Sequence, residues 1–178
     1  MRMTAKKLAI MAVLTAAALI IFMIEAQIPL PLVIPGMKLG LANTVTLFAL
    51  FYSRGRERGA DDLTASDALM ILICRVILGA LLTGRFIMLI YSITGGLFAF
   101  AAQVLVKKVV TDRQIWVCGA AGAVFHNIGQ IAAAIIVTGT PAIAAYLPVL
   151  LIAGVFTGVI TGFAAQFTLA RLNQHLPG

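Results

Sequence analysis

Apolar residues dominate this chain in six runs, parted by short breaks that carry nearly all of its prolines and charges. A helix needs about 20 apolar residues to cross a hydrocarbon core of about 30 Å. The runs therefore predict an all-α, polytopic integral membrane protein with spans at approximately 4–27, 39–52, 67–83, 86–106, 115–137 and 142–171, in one domain covering 1–178. The second run is short: the helical rise over 39–52 is only about 21 Å. The segment before it, 28–38, holds Pro29, Pro31 and Pro35 among Leu, Val and Ile. Proline removes backbone donors and fixes φ, so no regular helix runs through it. An apolar, broken segment beside membrane helices is tolerated where protein buries it or a cavity borders it. The segment reads as an outer lid-like loop.

Composition agrees with the pattern. Of 178 residues, 62% are hydrophobic and 11% charged, far from the balance of a soluble domain. The net charge of +7 does not point to nucleic acid, because the cations sit at span ends. With the N-terminus inside, Arg2, Lys6, Lys7, Arg54, Arg56, Arg58, Lys107, Lys108, Arg113 and Arg171 fall on one side, leaving Lys38, Arg75 and Arg85 for the interior and the other side. That bias predicts cytoplasmic N- and C-termini and a multi-pass protein of the cell inner (cytoplasmic) membrane. Cys74 and Cys118 lie in apolar runs without ligand spacing and read as small buried hydrophobes. Asp61, Asp62 and Asp67 are spaced DDxxxxD rather than DDxxD and read with the hydrophilic stretch Ser53–Ser66 as a solvated loop, Thr64–Ala65–Ser66 starting a helix.

Candidate chemistry comes from polar residues inside the spans. Arg75 lies near the middle of its run, where an unpaired cation costs about 2.5–3.5 kcal/mol. His126, Asn127 and Gln130 fall on a similar side of one helix, lined by Gly119, Gly122 and Gly129. Hydrogen-bonding groups at that depth should point inward. Lys38, Asn43 and Arg85 lie near the same half of the membrane. These seven residues are the candidate substrate-binding set, for a small and possibly anionic ligand. No carboxylate or thiol stands at ligand spacing from His126, so no metal is expected; no cofactor-attachment pattern is present either. Ala5, Ala9, Ala12 and Ala16 form a narrow stripe on the first helix, which permits close approach by another membrane helix.

The segments PGMKLGLAN, RVILGALLTG and AVFHNIGQ resemble the Gx transporter family, also labelled heptaprenyl diphosphate synthase component I. The layout is similar, more loosely, to substrate-binding S components of energy-coupling factor (ECF) transporters. That resemblance implies a six-helix S-component-like bundle and capture of a vitamin-like or cofactor-precursor molecule. The alanine stripe would dock a transmembrane coupling subunit, and separate ATPases would hydrolyse ATP. The chain has no Walker A sequence. The alternative is a non-catalytic membrane subunit associated with polyprenyl (heptaprenyl) diphosphate synthesis or a membrane redox system; the reading is not of an enzyme.

Overall fold

The computed structural model describes residues 4–27, 38–53 and 61–175, and these form helices and turns alone. The helices are α1 (Ala5–Glu25), α2 (Asn43–Phe51), α3 (Ala65–Thr83), α4 (Phe86–Lys107), α5 (Ile115–Thr138) and α6 (Leu147–His175). Five of them, all but α2, are long and apolar enough to cross a membrane. Large apolar side chains such as Val13, Leu82, Ile136 and Phe156 stand exposed on their outer faces, as lipid-facing positions do. The chain is thus a multi-pass membrane protein by length and composition of its helices.

The long helices follow their predicted spans to within a few residues; α2 and the start of α6 do not. The predicted span 39–52 shrinks to nine helical residues, about 14 Å, too short to cross alone. Gly40 explains the late start: its φ of +80° is open to glycine and strained for other residues. Turn bonds from Asn43 N–H to Gly40 O (2.9 Å) and Thr44 N–H to Leu41 O (3.0 Å) then lead into the helix. At α6, Pro141 begins a separate 3-10 turn, Pro141–Tyr146, so the long helix begins at Leu147 rather than Ala142. The lid-like loop lies outside the described residues except for Lys38, as do the arginines of the Ser53–Ser66 loop.

Neighbouring contacts run α1–α3–α4–α5–α6, and α2 touches all five. This short helix is therefore the centre of the bundle: seven of its nine residues are buried. At its C-terminal end Leu47, Leu50 and Phe51 join Met11, Ile71, Ile115, Cys118 and Leu169 in one apolar core. A second core of Tyr91, Ile131, Ala134, Ile143 and Leu150 fills the opposite end. The α5–α6 seam is backbone against backbone. A Cβ at Gly119 would collide with Gly158 O, and one at Gly162 would sit 2.5 Å from Trp116 Cα. Small residues permit this close approach. Gly129 makes the same kind of contact with Gly95 Cα across the α4–α5 seam.

Candidate functional site

Where α2 begins, half-way along α3 and α5, the bundle buries polar groups instead of apolar ones. Glu25, Lys38, Asn43, Arg75, His126 and Gln130 are all at most 5% exposed. Asn43 links them: Arg75 Nη2 donates to its Oδ1 at 2.9 Å, and its own Nδ2 lies 3.0 Å from His126 Nδ1. Because the amide nitrogen is the donor, the ring accepts at Nδ1 and carries its proton on Nε2. Gly95 makes room for that ring, since a Cβ there would sit 2.8 Å from His126 Nδ1. On the other side Gln130 Oε1 accepts from the Lys38 backbone N–H at 3.3 Å. Glu25 Oε1 accepts from the Gly40 N–H at 2.6 Å. The Lys38 ammonium rests 3.1 Å above the Phe22 ring centroid, a cation–π contact. Lys38 lies in the segment between spanning helices; burial lowers its ammonium to about 8, Glu25 opposes the fall, and Arg75 and Arg85 add to it.

These bonds leave the cluster incomplete. Lys38 Nζ, Arg75 Nε, His126 Nε2 and Gln130 Nε2 have no hydrogen-bond partner, and neither has Glu25 Oε2. Among these six residues four donors face one acceptor, and two cationic side chains face one carboxylate; the Asn127 and Gln103 amide oxygens and the Thr44 hydroxyl are also buried without partners. A buried polar group left unpaired costs about 1–3 kcal/mol, more when charged. The complement of such a site is a ligand rich in acceptor oxygens and negatively charged. Among the described residues no group of three His, Cys, Asp or Glu could hold a metal ion.

Of the seven residues predicted for the site, the structure brings five together: Lys38, Asn43, Arg75, His126 and Gln130. Asn127 is fully buried but turned to α6, where its Nδ2 donates to Leu150 O at 2.6 Å. Arg85 is exposed at the α3–α4 turn, outside the buried cluster, and acts on it only through its charge on Lys38. Glu25 was not among the predicted seven. The signal for it was available: a carboxylate ending an apolar run, just before the prolines.

The N-terminal ends of α1 and α3 hold a second buried charge pair. Lys7 Nζ lies 2.7 Å from Asp67 Oδ2, both side chains 3% exposed. Asp67 also caps α3, accepting from the Thr64 N–H at 2.7 Å in a capping box. The expectation that Asp67 belongs with a solvated loop is corrected here: it is buried against Lys7, and each neutralises the other out of water. Thr4 donates to Asp61 and Lys6 pairs with it at 3.2 Å; these two partners hold the Asp61 carboxyl below its usual range.

Between α1 and α3, above this pair, runs an apolar groove of about 370 Å³. Leu8 and Met70 mark one end, Leu19 and Leu78 the other, and Ala12, Ala16, Ile71 and Cys74 line its length. Thr15, the polar side chain in its lining, satisfies itself by donating to Met11 O at 2.8 Å. The four alanines of the stripe are exposed.

A family model described as heptaprenyl diphosphate synthase component I matches residues 14–168. No curated protein and no solved structure matches the chain.

Proposed function

Because the chain belongs to the heptaprenyl diphosphate synthase component I family, we propose that it is a non-catalytic membrane component serving polyprenyl diphosphate synthesis by holding a diphosphate-bearing ligand. The observation that carries this reading is the imbalance of the buried cluster, four unpartnered donors against one acceptor. A guanidinium matches phosphate oxygens in shape and charge, and Arg75 keeps its Nε free for one. Lys38, His126 and Gln130 supply the further donors. The chemistry of chain elongation would belong to a partner subunit.

The test is to purify the tagged chain gently from its own membranes and ask which proteins accompany it, then to measure polyprenyl products after its deletion. A stoichiometric prenyl synthase subunit, together with shortened or diminished polyprenyl products, is the expected outcome. Absence of any synthase with unchanged products overturns the reading.

A second reading is favoured by two observations: the exposed stripe of Ala5, Ala9, Ala12 and Ala16, and the placing of cations at one set of helix ends. With both termini cytoplasmic, in the inner membrane, the cluster lies toward the outer half. It would then capture a vitamin-like or cofactor-precursor anion for import, as an S-component-like subunit. An ECF-type coupling subunit would dock on the stripe, and partner ATPases would supply the energy. Native mass spectrometry decides it: a bound polar small molecule and a coupling subunit lost on Ala9→Leu with Ala12→Leu support import. A complex unchanged by both substitutions sinks it.

A further inference from the structure

We propose that the polar cluster and the α1–α3 groove are two halves of one site for a polyprenyl diphosphate, its diphosphate among Arg75, Lys38, His126 and Gln130 and its apolar chain along the groove. This rests on the reading of the cluster as a diphosphate site and adds the chain to it. The groove asks for hydrocarbon: its lining is apolar apart from Thr15, which is already satisfied within its own helix. The cluster asks for an anion. What links them is Phe22, which touches the surroundings of both. Leu19 and Leu78 end the groove; one helical turn beyond Leu19 stands Phe22, and next to Leu78 stands Gly79. The Phe22 ring packs on Gly79, where a Cβ would lie 2.7 Å from Phe22 Cε1, and its face carries the Lys38 ammonium. Gly79 has no side chain to close the passage once the ring turns away. Turning it also frees Lys38 from its π contact and gives the ammonium to the incoming diphosphate. An occupant with an anionic head and an apolar chain therefore satisfies the four donors, the groove and Lys38 together. Neither half alone does so.

The experiment uses the full chain in phosphatidylcholine nanodiscs and labelled geranylgeranyl diphosphate, with inorganic pyrophosphate and geranylgeraniol as competitors. The prenyl diphosphate is expected to bind at least tenfold more tightly than either competitor. Cys74→Trp, which fills the groove, is expected to weaken it tenfold and to leave pyrophosphate binding within twofold; Cys74→Phe provides the same test if the tryptophan variant fails to fold. Equal affinity for pyrophosphate and prenyl diphosphate overturns this inference and leaves the diphosphate reading standing. Equal affinity for geranylgeraniol, or displacement of the label by bulk phospholipid, overturns it in favour of a groove that takes any apolar chain. Failure of pyrophosphate and prenyl diphosphate alike to bind overturns both.

Discussion

The chain buries charge at two levels between α1 and α3, and it treats the two differently. At the N-terminal ends Lys7 meets Asp67 at 2.7 Å, and the remaining carboxylate bonds go to a helix cap. Toward the other end Arg75 and Lys38 share the interior with Glu25, yet no ion pair joins them within bonding range and five polar atoms of the cluster remain without partners. Breaking a buried pair strands the survivor and costs about 3–5 kcal/mol. Removing a group whose bonds were never complete strands little. The first arrangement is therefore a fastening. The second holds unmet bonding capacity in place for something else.

The comparison breaks first at Lys7. Lys7→Met should destabilise the protein by about 3–5 kcal/mol, read as a lowered unfolding midpoint in detergent, and Lys7→Met with Asp67→Leu should recover most of the loss. A single substitution costing under about 1 kcal/mol would show that the pair is not a fastening. Next comes Arg75→Gln, expected to weaken anion binding tenfold or more, by about 1.4 kcal/mol, with an unchanged or raised unfolding midpoint. A falling midpoint with binding intact would make the two levels alike. Asn127→Ala should lower stability by about 1 kcal/mol without moving ligand affinity, because that side chain serves the α5–α6 seam. A pH series sharpens the picture further. As pH rises through about 8, Lys38 loses its proton, so anion affinity should fall by a few-fold, and Lys38→Met should flatten the curve. Smallest of all, Arg85→Ala should change anion affinity less than twofold, since the residue is exposed and screened by water.

What could be read from the sequence follows the cost of burying things. The long helices were legible because an apolar run of membrane length has few other outcomes. Arg75, His126 and Gln130 were legible because a polar group at mid-span is expensive unless it faces inward. Asn127 shows the limit: one residue after His126 means a rotation of about 100° about the helix axis, which aims it at α6 instead of α4. Glu25 sits at a span end, where water usually explains a carboxylate, and its burial depends on Gly40 folding back to it. The Lys7–Asp67 pair joins positions sixty residues apart in the chain, and charge spacing alone does not reveal such a meeting. The late start of α2 was likewise hidden, because it turns on one positive φ at Gly40.

The glycine seams carry a mechanical consequence. Where backbones approach at Gly95–Gly129 and Gly119–Gly158, no side chain stands between the helices at those points to give way, so α4, α5 and α6 are held tightly to one another. α1 meets α3 through side chains, Lys7 on Asp67 at one end and the Phe22 ring on Gly79 toward the other, and only the first of these contacts is an ion pair. Glu25 and Phe22 ride on α1; His126 and Gln130 ride on α5. Any shift of α1 against the other three helices would therefore be felt as a change of width at the polar cluster, which both sides line.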